Sequence, residues 1–158
     1  MKERELRDAV CIDIAAPPER VYELISDITR MGEWSPECYQ CVWSHGATGP
    51  VVGARFKAKN KGGRGPSWSN SPVVTSAELG REFAFNRKGP AIGSYTWRYV
   101  MEPTPTGTKL TESFNAERRL GRAMTWLTMK WTGSVDRDVD LHQGMITTLG
   151  RIKAAAES

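Results

Sequence analysis

The sequence predicts an α+β domain in which seven strands precede one long helix. Three observations carry this. Residues 134–156 have helical periodicity: at ~100° per residue, Leu141, Met145, Leu149, Ile152 and Ala156 fall on one face. Residues 39–114 instead alternate apolar and polar side chains in short runs broken by glycine and proline. Helical spacing in the first part of the chain is confined to residues 17–36, directly after a first strand. Strands and helices segregated in this way make an α+β layout rather than alternating βαβ units.

With 158 residues the chain reads as a single domain, 1–158. A chain of this length buries about 70% of its unfolded surface, so it needs neither disulfides nor a metal to fold. No apolar run approaches the ~20 residues of a membrane-spanning helix, and the charged start, residues 1–8, is not a signal peptide. Three cysteines do not suggest a disulfide framework, so the expectation is a cytoplasmic protein with reduced thiols. A net charge of +4 is only mildly basic. The local excess at Lys57, Lys59, Lys61 and Arg64 reads as a solvated strand face, and no nucleic-acid partner is expected.

The elements follow in order. In residues 8–15, Val10, Ile12 and Ile14 share one side of a half-buried strand. Pro17-Pro18 opens a helix in which Val21, Leu24, Ile25 and Ile28 form one stripe. Residues 31–36 form a second short helix or turn, stopped by Pro36. Tyr39, Cys41 and Trp43 are expected to share a strand face, and Gly46 to Gly53 carries turn signals. Ala54, Phe56, Ala58 and Asn60 then point inward while Arg55, Lys57, Lys59 and Lys61 point outward, which puts a polar residue, Asn60, on an inward face. Residues 68–78 read as one strand with an edge or bulge at Pro72. Phe83 and Phe85 alternate in the next strand, Tyr95, Trp97, Tyr99 and Met101 in the one after, and Leu110, Glu112 and Phe114 in the last. Residues 118–132 carry Leu120, Met124, Leu127 and Trp131 at helical spacing, flanked by basic residues: a packed helix, a lid, or a patch for a partner or membrane. In the final helix, Asp136, Asp138 and Asp140 near the start and Arg151 and Lys153 near the end suit the dipole, and His142 and Ile146 are expected to widen the apolar face.

At this point the chain resembles the START-like, helix-grip (SRPBCC) superfamily, and within it the polyketide cyclase/dehydrase-like branch of small actinobacterial-type proteins. The matching pieces are residues 14–27, where a strand runs into a proline-opened helix; residues 34–37 (Trp-Ser-Pro-Glu) and 53–57 (Gly-Ala-Arg-Phe-Lys); residues 97–99 (Trp-Arg-Tyr) and 107–113 (Gly-Thr-Lys-Leu-Thr-Glu-Ser); and residues 141–149. The resemblance implies a curved seven-stranded antiparallel sheet wrapped around the C-terminal helix. It also implies two short helices closing one end and a deep cavity between sheet and helix. It implies no particular reaction, because the superfamily hosts lipid carriers, hormone receptors and aromatase/cyclases on one scaffold.

The strongest functional signal is aromatic. Trp34, Trp43, Phe56, Trp68, Phe83, Phe85, Tyr95, Trp97, Tyr99 and Phe114 are candidates to line such a cavity, joined by Asn60 and Met145. Tryptophan and tyrosine pair an apolar body with a polar tip, which suits gripping and orienting a flat ligand. The same rings also serve as plain core. Glu112 is a candidate acid or base if its strand face is inward, since burial would raise its pKa. The sequence favours the opposite arrangement, with Thr111, Ser113 and Asn115 inward or with Glu112 paired to Arg98. His142 is the second candidate, if it looks into the cavity. Cys38 and Cys41, with His45 nearby, do not read as a zinc site, because positions three apart on a strand face opposite ways and four ligands are wanted. No metal or cofactor is expected. The reading is a binder of a hydrophobic or aromatic small molecule, lipid or polyketide-like. The alternatives are a polyketide cyclase/dehydrase using Glu112, His142, Tyr95 and Tyr99 with Asn60 orienting a carbonyl, and an interaction protein docking through residues 118–132. Membrane contact is not expected, and monomer and homodimer both stay open.

Overall fold

A computed structural model describes residues 7–62, 65–89, 93–116 and 137–158, together with 123, 126, 127 and 130. The strands are β1 (Arg7–Ile14), β2 (Cys38–Ser44), β3 (Arg55–Asn60), β4 (Trp68–Asn70), β5 (Val73–Glu78), β6 (Glu82–Gly89), β7 (Gly93–Thr104) and β8 (Gly107–Ala116). The helices are α1 (Pro18–Ser26), α2 (Met31–Trp34) and the long α3 (Arg137–Ala156), with a 3-10 turn at Ile28–Arg30 joining the first two. The strands form one curved, unclosed antiparallel sheet in the order β1-β8-β7-β6-β5-β3-β2, with β4 beside β3.

This is the expected helix-grip layout with one more strand. Residues 68–78 are two strands rather than one, because Ser71-Pro72 interrupts the ladder. A proline has no N–H to donate, so the chain changes partners there. β4 pairs β3, while β5 passes on to β6 and meets β3 only at Arg55 and Val73.

Alternation decides the inner face. Ala54, Phe56, Ala58 and Asn60 are all buried, as are Thr108, Leu110, Glu112 and Phe114. Phe56, Phe83 and Phe85 stack in sequence, with ring centroids 5.4 Å (Phe56–Phe85) and 6.1 Å (Phe83–Phe85) apart. Tyr22 of α1 meets Phe83 edge-on at 6.4 Å, which closes one end of the sheet. Helix α3 buries Leu141, Met145, Leu149, Ile152 and Ala156, as its spacing predicts. The predicted widening of that stripe does not occur. The Ile146 residue is 43% exposed, and His142 turns its ring out to Asp8 of β1, Nδ1 to Oδ2 2.6 Å. A full ~100° step from the stripe's centre line is enough to carry a side chain to the rim of the sheet.

The buried apolar residues divide into two groups. The larger joins α1, α2, the middle strands and the C-terminal half of α3 through Leu149, Ile152 and Ala156. The smaller is Phe114, Leu141 and Met145, flanked by Val10, Tyr95 and Trp97. Hydrogen bonds fasten the far end of α3. Glu157 accepts from the Ala15 amide at 2.8 Å, Lys153 donates to the Asp13 carbonyl at 2.7 Å, and Arg151 donates to the Trp34 carbonyl at 3.3 Å. No helix among the described residues is long and apolar enough to cross a membrane.

Candidate functional site

A cavity of about 110 Å3 separates the two parts of the core. Phe56, Phe85 and Tyr99 of the larger group line it on the sheet side, and Leu141 and Met145 of the smaller group on the helix side. Asp140, Gly144 and Thr148 complete the helix wall, and Met31, Ser35, Pro36, Glu37 and Cys38 form an end wall that runs from α2 into β2. Gly144 matters here through its missing side chain. A Cβ there would lie 3.7 Å from Pro36, so any larger side chain would project into the space between α3 and the end wall.

Of the residues singled out from sequence, Phe56, Asn60, Phe85, Trp97, Tyr99, Glu112 and Met145 line the cavity together. The others lie outside its lining. Trp34 is buried under α1, where its Nε1 donates to the Leu24 carbonyl at 3.3 Å, with the Arg30 guanidinium over its ring. Phe83 is fully buried beside Tyr22, and Trp43 packs edge-on against Phe56 at 5.9 Å. Phe114 stacks behind Trp97 at 5.2 Å, Tyr95 carries the Arg87 guanidinium over its ring, and Trp68 sits half-buried on the short strand β4. These rings build and support the wall rather than face the space. His142, bonded to Asp8, is not in the lining either. The basic segment 118–132 falls outside the described residues apart from 123, 126, 127 and 130. Of these, Trp126 and Leu127 are exposed, and Lys130 Nζ lies 5.0 Å over the Trp126 ring.

Glu112 corrects the sequence reading. Its strand face is inward, the carboxyl is 3% exposed, and its partner is not Arg98. Register explains this: Arg98 lies opposite Ser113, on the outer face, and reaches Glu82 at 3.7 Å, whereas Tyr99 lies opposite Glu112 on the inner face. The Tyr99 hydroxyl donates to Glu112 Oε1 at 2.9 Å, and Glu112 Oε2 has no hydrogen-bond partner among the described residues. Burial pushes the Glu112 pKa up to about 8, the Tyr99 hydrogen bond opposing it only in part. Burial, and after it the Glu112 charge, also hold Tyr99 protonated well above its ordinary range. At neutral pH the site therefore presents a carboxylic acid able to donate a hydrogen bond, not a carboxylate. Asn70 Oδ1, a second buried acceptor without a hydrogen-bond partner among the described residues, also belongs to the lining, as do Asn60 and Arg87. An apolar cavity with a few unsatisfied polar atoms is the arrangement that fixes the orientation of a ligand.

The cysteines give a second correction. The register of β2 against β3 shifts between Cys38 and Gln40, which inserts one residue into β2. The bulge turns Tyr39 outward, 52% exposed, and brings Cys38 onto the same inner side as Cys41. Their sulfurs are 3.2 Å apart, and Cys41 Sγ is 3.7 Å from Met31 Sδ. Strand periodicity alone had put the two thiols on opposite faces. Among the described residues no group of three or more His, Cys, Asp or Glu side chains gathers to hold a metal.

A family model described as polyketide cyclase/dehydrase and lipid transport matches residues 9–155. A polyketide-cyclase-like protein of Corynebacterium glutamicum is 33% identical, with 98% of this chain and 93% of that one covered and a TM-score of 0.62. A protein of Chromobacterium violaceum shares the fold at 17% identity and TM-score 0.70, covering 96% of this chain and 98% of its own. The di-domain ARO/CYC StfQ from the steffimycin biosynthetic pathway superposes with TM-score 0.75 at 15% identity; 97% of this chain is covered, and it spans 51% of StfQ. No curated protein sequence matches the chain.

Proposed function

The chain belongs to the polyketide cyclase/dehydrase and lipid transport family, and from that premise we propose that it binds an aromatic or polyketide-like small molecule in the cavity between the sheet and α3. The observation that carries the reading is the lining itself. Phe56, Phe85, Trp97 and Met145 supply apolar surface, while Glu112 Oε2 and Asn70 Oδ1 stand without hydrogen-bond partners among the described residues. A buried polar atom without a partner costs about 1–3 kcal/mol, and a ligand hydroxyl or carbonyl that meets it recovers that energy. An apolar cavity of ~150 Å3 holds benzene. The space of about 110 Å3 is smaller than that, so it takes part of a ring system, with the rest of a longer ligand passing outward.

The test is calorimetric titration with 2-naphthol and with naphthalene. The hydroxylated probe is expected to bind more tightly, by about tenfold for one recovered hydrogen bond. Met145→Trp, which fills the space from α3, is expected to weaken 2-naphthol at least tenfold while circular dichroism shows the fold retained. Equal binding by the wild type and a folded Met145→Trp would place the probe elsewhere and sink the proposal.

One observation favours a second reading, catalysis. Glu112, Tyr99 and Asn60 converge on one cavity, and aldol cyclisation with dehydration needs little beyond a shaped pocket with a proton donor and a proton acceptor. In that reading the protonated Glu112 gives its proton to the substrate carbonyl oxygen as the new C–C bond forms, the carboxylate left behind takes up the proton released from the α-carbon, Tyr99 holds the carboxyl in place, and Asn60 orients a carbonyl. His142 and Tyr95 take no part, since neither lines the space. A synthetic poly-β-keto thioester is the probe. Cyclised product that falls to background in Glu112→Gln supports catalysis, and turnover unchanged in both Glu112→Gln and Tyr99→Phe removes it.

A further inference from the structure

We propose that Cys38 and Cys41 form a peroxide-reactive dithiol, in which Cys38 is the attacking sulfur, Cys41 the resolving one, and the cavity the route by which the oxidant arrives. Three features of the geometry carry this. The sulfurs are already 3.2 Å apart, so closing to a disulfide bond of ~2.05 Å asks for a displacement of little more than an ångström. The bulge between Cys38 and Gln40 is the irregular point of β2, where Tyr39 is the extra residue without a partner in the register and the ladder is already disrupted. Cys38 lines the cavity whereas Cys41, 2% exposed, lies behind it against Met31, so a small molecule that enters meets Cys38 first.

The two thiols are also unequal. The two sulfurs share a hydrogen bond, and with it the pKa of one thiol falls while that of the other rises; the sulfur lowered is Cys38, against the opposing effect of burial. A thiol of lowered pKa beside a resolving thiol is the arrangement that reacts with peroxides when the oxidant can reach it, and Cys38, 6% exposed, is reached through the cavity that it lines. In the first step the Cys38 thiolate attacks one oxygen of hydrogen peroxide and the O–O bond breaks. Cys38 becomes a sulfenic acid, oxidised by two electrons, and hydroxide leaves. In the second step the Cys41 sulfur attacks Cys38 sulfur, the S–O bond breaks, the Cys41 proton and the departing oxygen leave as water, and the disulfide remains. Hydrogen peroxide is small enough for the cavity of about 110 Å3. The inference does not depend on which ligand the cavity holds.

The third thiol, Cys11, is exposed on β1 and would be oxidised by any peroxide in solution, so the test begins with Cys11→Ser. That variant leaves the core pair untouched. After stoichiometric hydrogen peroxide, its intact mass is expected to fall by two hydrogens, both remaining thiols to vanish in a denaturing thiol assay, and peptide mapping to link Cys38 to Cys41. With the further change Cys41→Ser, a dimedone adduct should appear on Cys38; with Cys38→Ser instead, Cys41 should stay unlabelled. Two titratable thiols surviving in Cys11→Ser, under conditions that oxidise Cys11 in the wild type, would overturn the proposal. So would a disulfide that joins two molecules rather than closing within one.

Discussion

Glu112→Gln is expected to abolish a loss of stability that the wild-type protein suffers between pH 4.5 and about pH 8. In the unfolded chain the carboxyl ionises near its ordinary value of 4.5, whereas in the fold it holds its proton to about 8. Between those values the native state binds a proton that the unfolded state has released, so each rise in pH favours unfolding. Stability from this group is complete below pH 4.5, falls through the window, and is level again above about 8. The whole fall is on the order of 5 kcal/mol, comparable to the total stability of many domains. Glutamine keeps an oxygen for the Tyr99 hydroxyl and has nothing to ionise. Urea midpoints measured every half unit across the window should therefore slope downward for the wild type and lie nearly flat for Glu112→Gln. Parallel slopes for the two proteins would show that the carboxyl ionises as freely in the fold as outside it.

The second large effect belongs to Gly107, at the start of β8 after the tight Pro105-Thr106 turn. Its φ of +152° is one that side-chain-bearing residues rarely adopt. A Cβ built there would lie 2.1 Å from the Ile14 carbonyl oxygen and 2.8 Å from the Ala16 nitrogen. Both are backbone atoms at the junction of β1 and α1, and neither can swing aside as the end of a flexible side chain would. The next residue shows how close the packing is: the Thr108 hydroxyl donates to the Ala16 carbonyl at 2.7 Å. Gly107→Ala must therefore push the β7–β8 turn off the start of α1, at an expected cost of at least about 4 kcal/mol. A chemical denaturation series checks this, with Gly150→Ala as the control. Gly150 has open space at its Cβ position, and a helical alanine there should stabilise slightly. A Gly107→Ala protein as stable as the wild type would mean that the junction yields without strain.

These residues also show where sequence reading succeeded and where it stopped. Ala54, Phe56, Ala58 and Asn60, and the α3 stripe from Leu141 to Ala156, were legible because each is a local period, and a local period sets which side a residue faces. Family resemblance supplied the arrangement of those elements. What stayed hidden depended on register or on irregularity. Nothing in the chain says that Tyr99 rather than Arg98 lies on Glu112's face; that follows only when β7 and β8 are aligned. The bulge in β2 leaves no glycine as a marker, so the phase slip that joins Cys38 to Cys41 was invisible and Tyr39 was assigned to the wrong side. Trp34, Trp43, Trp68 and Trp97 were read as members of one aromatic set, yet of these four only Trp97 lines the cavity, because wall and support have the same composition.

The division of the core has a consequence for how α3 opens. Its C-terminal turns are bolted down by Leu149, Ile152 and Ala156 and by the bonds of Arg151, Lys153 and Glu157, whereas its N-terminal turns rest on Leu141 and Met145 against one small cluster and on the rim bond from His142 to Asp8. The helix is thus a beam clamped at one end with a hollow under its span. Amide hydrogens should exchange with deuterium fastest toward residue 140 and slowest toward residue 152. Any opening of the hollow would then pivot about the clamped end and begin with the parting of His142 from Asp8.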